Sequence, residues 1–308
     1  MIKGLNDSSW KFPALYIALV LIWGSAFTMV GVGVDYIAPI WLVAYRLIIG
    51  AMLVTTYAYF KGEGLPKLSD VRWRWYGLLG LTGSALPFFL LSIGQMSVDS
   101  GLTSIIVGSM PLMTIILAHF FAQEYLTPQK LIGFVIGFIG IVILFLPEDL
   151  SLKVVTDWRA QLLIVFSAFL YAVTTIIAKH VPKTPSSTGA AMMLISAAII
   201  ASLYGIGTGL PTEVPAAIGL WMMLGLAIGS TAIATIMYLY VVEQKGPSMM
   251  AKINYFVPVT SVFFGCLLLG EEFSWRIALS FCIIAIGVMI SQAKSKPKDK
   301  PKPAAINP

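Results

Sequence analysis

Charge is scarce in this chain: 11% of its 308 residues are Asp, Glu, Lys or Arg, against about 25% in a soluble domain. No Asp or Glu stands at mid-membrane depth in any of its long apolar runs, which speaks against a buried carboxylate proton relay. The two cysteines, Cys266 and Cys282, both lie inside such runs, so a disulfide framework is not expected. The two histidines, His119 and His180, are too few for a His-rich metal cluster, and no mid-helix aspartates are paired. An intramembrane enzyme would need one or the other, so an enzyme is not expected, and neither is a metal or cofactor. The loops are too short for the soluble domain of a sensor or accessory subunit. No small-residue cleavage motif follows the apolar run from Trp10 to Val32, so that run is expected to stay as a helix and not to be removed as a signal peptide.

What the chain has in abundance is apolar length. Hydrophobic residues make up 58% of it, and the mean hydropathy is +0.89. Runs of the roughly 20 residues that a membrane helix needs recur at 12–32, 40–60, 73–95, 100–121, 128–146, 158–180, 188–207, 216–240, 247–269 and 274–292. They are too long for barrel strands and lack the alternation of a barrel. The ten runs fall into two blocks of five. Pro111 and Pro258, Glu124 and Glu271, and Gly140 and Gly287 stand 147 residues apart, and Gly83-Ser84 stands 146 residues before Gly229-Ser230. Five spans per block oblige the second block to enter the membrane from the opposite side. The expected fold is an all-α membrane protein of ten transmembrane helices arranged as two inverted five-helix repeats. A short segment, 1–11, precedes the first repeat, 12–146; a linker, 147–157, joins it to the second, 158–292; a basic tail, 293–308, follows. Inverted repeats place a substrate site near mid-membrane between the halves, which rock about it.

Basic residues set the orientation. With the amino terminus inside, sixteen of the twenty Lys and Arg residues fall on inner segments, among them Lys61, Lys130, Lys183 and the five lysines of the tail. Lys153, Arg159 and Arg276 fall outside, and Arg46 lies within the second helix. The positive-inside rule then places both termini in the cytoplasm. The Lys-Pro-Ser tail is expected to be solvated beside anionic lipid, with no nucleic-acid partner. The pI near 9.2 reflects the tail and inner loops and carries no information on the substrate.

Candidate functional residues follow helical spacing. Thr231, Thr235 and Tyr238 form one stripe in the eighth helix; Ser84, Phe88, Ser92 and Gln95 form one in the third. The sixth helix offers Ser167, Tyr171, Thr174 and Thr175, and the first offers Trp23 and Phe27 with Tyr16 along the same side. Each hydroxyl alone reads as an ordinary interhelical hydrogen bond. Four stripes together read as a central polar and aromatic cavity. Pro111 and Pro258, about eleven residues into their spans, free the carbonyls of Val107 and Asn254 and serve as hinges or line the pathway. Arg46, two turns from the outer surface, is expected to snorkel outward toward Asp35. Lys252 shares a face with Tyr255 and lies about 200° around the helix from Asn254, so the lysine and the asparagine cannot both face the cavity. A cavity-facing Lys252 would suit a carboxylate; a snorkelling one would not meet it. His119 reads as a satisfied interfacial residue. Glu124 and Glu271 end matched helices, either receiving a neighbouring helix's amino terminus or gating the pathway. Gly133-x-x-x-Gly137 and Gly225-x-x-x-Gly229 allow close helix contact, within one chain or across a homodimer.

The run Ile22-Trp23-Gly24-Ser25-Ala26-Phe27, followed by Pro39 and Tyr45-Arg46, resembles a family signature in the first two helices. Ser109-Met110-Pro111 through Glu124, with Gly133 to Gly140, is similar to the same family's fourth-to-fifth helix motif; Tyr255 to Pro258, then Leu269-Gly270-Glu271 and Gly287, is its second copy. Together they resemble the EamA-type transporters of the drug/metabolite transporter superfamily, over about residues 12–292. The resemblance implies ten helices in two inverted halves, a bacterial inner-membrane location, movement of small metabolites such as amino acids, and a cavity lined by the first, third, fourth, sixth, eighth and ninth helices. The second copy has Leu170-Tyr171-Ala172 in place of the tryptophan-glycine-serine run, so the half-sites are not chemically equivalent. The function expected is alternating-access efflux of an amino acid or a similar compound. Trp23, Phe27, Tyr171, Tyr238 and Tyr255 would supply apolar and π walls; Ser84, Thr231, Thr235 and Asn254 hydrogen bonds; Lys252 a carboxylate partner. A multidrug exporter of cationic compounds and an importer of vitamins or cofactors remain as alternatives, and coupling stays open between proton antiport, exchange and facilitated diffusion.

Overall fold

The computed structural model describes residues 8–98, 103, 106–145, 158–211, 214–269 and 275–292. Among them every regular element is helical. The helices are α1 (Ser8–Val34), α2 (Pro39–Phe60), α3 (Arg72–Gly94), α4 (Met110–Phe121), α5 (Pro128–Phe145), α6 (Trp158–His180), α7 (Ser186–Thr208), α8 (Ala217–Lys245), α9 (Pro247–Asn254 and, after a two-residue turn, Val257–Leu269) and α10 (Trp275–Gln292). Six of them, α1, α2, α3, α6, α7 and α8, are long and apolar enough to cross a bilayer unaided, and the shorter apolar helices complete the expected ten. Glu271, the 1–7 and 293–308 ends and the whole of the expected linker, 147–157, lie outside the described residues. The structure differs from the expected spans at α4, which begins at Met110 after a turn, at α9, which is interrupted at 255–256, and at α8, which runs on to Lys245. Glu243, Gln244 and Lys245 are exposed there, extending the helix past its apolar length until Gly246, with φ of +81°, turns the chain into α9.

Packing repeats the internal symmetry. α2 packs on α7, and α5 on α10, so each is paired with its own counterpart. The remaining contacts come in matched sets: α1–α9 with α6–α4, α3–α6 with α8–α1, and α2–α8 with α7–α3. Small residues permit these crossings. In α5–α10 the backbones touch: a methyl group at Gly133 would come within 2.4 Å of the Gly287 carbonyl oxygen. Gly137 packs on Tyr255, Gly225 on Met29 and Gly229 near Ile22, so the glycine faces are covered within the chain. Of the two readings left open for Gly133-x-x-x-Gly137, the structure shows contact within one chain. Large apolar side chains such as Met52, Leu203, Trp221 and Phe263 are exposed on the outside of the bundle, where lipid would meet them.

Two further features are duplicated. α3 contains a π-helical segment at Leu81–Ala85 and α8 one at Leu226–Ile233, each enclosing its Gly-Ser step. At the basic end, the Ser187 hydroxyl near the start of α7 donates to Glu63, and the Ser248 hydroxyl near the start of α9 donates to Glu124. Each carboxylate thus covers a helix amino terminus, where the macrodipole favours negative charge. Lys61 also lies 3.1 Å from Glu63.

The Ser187 hydroxyl first, and Lys61 after it, hold the Glu63 carboxyl below its ordinary value of 4.5. A depressed carboxylate stabilises the fold fully above that value and loses its contribution as pH falls through the lowered one. Thermal unfolding in detergent, followed from neutral pH to about pH 3, should therefore decline less steeply for Glu63→Gln than for the wild type. Parallel curves would remove Glu63 from the acid sensitivity.

Candidate functional site

A cavity of about 150 Å³ lies at the seam between the halves. A cavity of this size holds a benzene-sized molecule. Its wall is drawn from α1, α2, α3, α4, α6, α7, α8, α9 and the residues just before α4. Trp23 and Tyr238 face one another with ring centroids 6.2 Å apart, and Phe88 and Tyr171 do so at 6.4 Å. The Tyr238 hydroxyl reaches Thr175 Oγ1 at 3.4 Å, and Thr174 Oγ1 bridges to Thr82 at 2.8 Å. Phe27, Ser84, Ser92 and Thr235 of the stripes also line it, and Asn254 joins them from α9.

Symmetry mates line the cavity in pairs but differ in kind. At a separation of 147 residues, Phe27 pairs with Thr174, Phe88 with Thr235, Leu91 with Tyr238 and Val107 with Asn254, and all eight face the cavity. The first half thus contributes apolar surface where the second contributes hydrogen-bonding groups. Arg46 pairs with Met193, seven residues into α2 and α7 respectively.

Arg46 corrects the sequence expectation. It does not reach outward to Asp35 but is 4% exposed and lines the cavity. Its Nε donates to Thr231 Oγ1 at 3.0 Å and its Nη2 to Ser230 Oγ at 2.9 Å. The guanidinium lies 4.1 Å from the centroid of the Phe88 ring, a cation–π distance. A lone arginine two turns from a helix end gives no sequence signal for this. The adjacent hydroxyls Ser230-Thr231, beside the duplicated Gly-Ser step, were the available clue.

Three predicted site residues stand outside the wall. Thr231 turns toward α2, where it accepts from Arg46 and packs against Gly50. The π-helical segment is the reason: i→i+5 bonding places Ser230 and Thr235, five residues apart, on the cavity side, and the 3.6-residue wheel that grouped Thr231 with Thr235 does not hold there. Tyr255 is buried against α5, its hydroxyl donating to the Phe134 carbonyl at 2.7 Å. Lys252, on the same face as Tyr255, is half-buried among Lys130 and Glu124. Asn254, on the other side of the helix, faces the cavity and contacts Met110 Sδ at 3.4 Å.

Pro111 and Pro258 are buried behind the wall, but each follows a break in its helix. α4 begins after a turn at Gly108-Ser109 and α9 is interrupted at Tyr255-Phe256. The breaks bring Val107, Met110, Asn254 and Val257 to the cavity. Tyr16 and Gln95 do not line it. His119 sits at the end of α4, where its Nδ1 lies 3.3 Å from the Leu126 amide nitrogen that donates to it.

α1 meets α9 through the signature glycine. Thr260 Oγ1 lies 2.9 Å from the Val20 carbonyl, and its side chain occupies the space a methyl group at Gly24 would need. In the second half the equivalent contact, α6 with α4, uses Ala168 and Ala172 against Met110, and Tyr171 faces the cavity at the position matching Gly24.

Known proteins place this architecture. YoaV of Bacillus subtilis (strain 168), an uncharacterized transporter, is 25% identical over 284 residues, covering 89% of this chain and 94% of its own. YedA of Escherichia coli (strain K12), an uncharacterized inner membrane transporter, is 25% identical over 283 residues, covering 91% of this chain and 89% of its own. A crystal structure superposes with a TM-score of 0.76 at 18% identity, covering 91% of this chain and 96% of the other, and shares the fold. The EamA-like transporter family matches twice, over residues 11–146 and 158–292. With both halves so matched, the chain belongs to the EamA-like transporter family and is a membrane transporter, not an enzyme.

Proposed function

We propose that the protein exports an amino acid or amino-acid-like metabolite across the bacterial inner membrane, by alternating access of two five-helix halves, 12–146 and 158–292, around the central cavity. The observation that carries the reading is the composition of the cavity wall, to which both halves bring aromatic rings and hydroxyls, unlike in kind at matched positions. Trp23, Phe27, Tyr171 and Tyr238 would hold an apolar body, and Ser84, Thr235 and Asn254 would bond its polar groups. The breaks beside Pro111 and Pro258 serve as hinges. Glu124 acts as a latch between α4 and α9 through Ser248, and Glu271 is its counterpart. The distribution of Lys and Arg supports cytoplasmic termini, and the inner-membrane relative supports the location.

Flux of labelled neutral amino acids into proteoliposomes, with and without an imposed pH gradient, tests this. Gradient-driven movement of one member supports coupled export; gradient-independent exchange supports a facilitator. Trp23→Ala is expected to weaken apparent affinity about tenfold, the loss of roughly 1.4 kcal/mol of aromatic contact. No flux of any member by folded protein would remove the amino-acid reading. The aromatic wall favours a second reading, export of cationic aromatic compounds, which the same panel extended to amines distinguishes.

A further inference from the structure

We infer that Arg46 is the anion-binding residue of the central cavity, so that the transported molecule presents a carboxylate or similar planar oxyanion beside an apolar body. The inference rests on the transport reading and names the substrate class within it. Arg46 is the one cationic side chain in the cavity wall among the described residues, and the rest of that wall is neutral. A charge held this deep in a membrane protein requires a partner. Ion pairs among the described residues join Lys61 to Glu63 and Arg72 to Asp70, and none includes Arg46.

Geometry prepares the guanidinium for such a partner. Of its five N–H groups, one on Nε and one on Nη2 are taken by Thr231 and Ser230. Phe88 supports the planar group from one side. These contacts fix the orientation of the fork without neutralising it, since hydroxyls and a ring carry no charge. The remaining donors suit the two oxygens of a carboxylate, for which the arginine fork is matched. A cationic ligand would meet the uncompensated positive charge of Arg46. The arrangement therefore selects against the amine-only compounds that the aromatic wall would otherwise admit. Lys252 does not share this role, because it lies outside the wall.

The experiment measures binding without flux. Purified full-length protein in detergent is heated in the presence of 3-phenylpropionate, phenylalanine or phenethylamine, which share a ring and differ in charge. The two carboxylates are expected to raise the melting temperature, and the amine is not. Arg46→Gln should abolish the carboxylate shift, and Arg46→Lys should weaken apparent affinity about tenfold or more, the loss of a charge-assisted fork. Stabilisation by the amine equal to that by the carboxylates, absence of a carboxylate shift in the wild type, or an unchanged shift in Arg46→Gln would each overturn the inference. Should Arg46→Gln not fold, Arg46→Lys decides: weakened carboxylate binding supports the inference and unchanged binding overturns it. Carboxylate binding that depends on Arg46, together with no amino-acid flux in proteoliposomes, would uphold the anion site while removing the amino-acid export reading.

Discussion

Gly287→Ala is expected to leave little folded protein. The added methyl group would sit 2.5 Å from the Gly133 carbonyl oxygen and from the Gly137 amide nitrogen, where ordinary contact begins at 3.4 Å. Both obstacles are backbone, so no rotamer change relieves them, and α5 and α10 must separate along their shared length. Overpacking costs about 1–3 kcal/mol in forgiving sites and more where backbone blocks relaxation. A fall in melting temperature of roughly 10 °C, or loss of the monodisperse peak in size-exclusion chromatography, is the expected readout. Gly31→Ala is the control, since nothing lies within 4 Å of its added methyl, and the helix propensity of alanine favours it by about 1 kcal/mol. Equal behaviour of the two variants would refute the close-contact account.

Gly24→Ala is expected to abolish transport for a different reason, and it can be repaired. Its methyl group would fall 2.0 Å from Thr260 Oγ1 and 2.7 Å from Thr260 Cβ, both side-chain atoms of α9. α1 carries Trp23 and Phe27, so a forced separation of α1 from α9 withdraws two walls of the cavity. Flux should drop about tenfold or more. Thr260→Gly removes both obstructing atoms and should restore part of the activity in the double variant. The rescue remains partial because the Thr260 backbone carbon stays 3.0 Å away, and glycine in a helix interior costs about 0.5–1 kcal/mol. Full activity of Gly24→Ala alone would show that the contact does not position α1.

The scaffold was legible in the sequence because it is built from long-range regularities. Apolar length, basic loops and the paired Pro, Glu and Gly positions all survive without any knowledge of side-chain contacts. The cavity was legible where helices are regular: Trp23, Phe27 and Tyr171 face it as their spacing implies. Reading failed where local geometry departs from the α-helix or where a charge has two outlets. Thr231 was grouped with Thr235 by a wheel that the π-helical turn invalidates. Arg46 was assigned to the surface because snorkelling is the ordinary fate of a lone intramembrane arginine, and its acceptors are some 185 residues away in sequence. The 200° separation of Lys252 and Asn254 was readable, but which of them faced inward depended on Tyr255 packing against α5.

The pairing of Arg46 with Met193 has a consequence for the carrier as a vessel. The two positions are equivalent in the scaffold, yet inversion of the repeats sets them toward opposite faces of the membrane. A guest with one anionic end would then lie head-to-tail in a fixed sense, its charge at the α2 side and its body toward α7. The two openings would therefore meet the guest by different ends and bind it with different strength. Such a difference alters affinity on each side but cannot by itself drive accumulation, because a closed cycle with no coupled ion returns every free-energy change it makes. Lopsided binding constants alongside equal final concentrations would be the mark of a symmetric frame carrying an asymmetric lining.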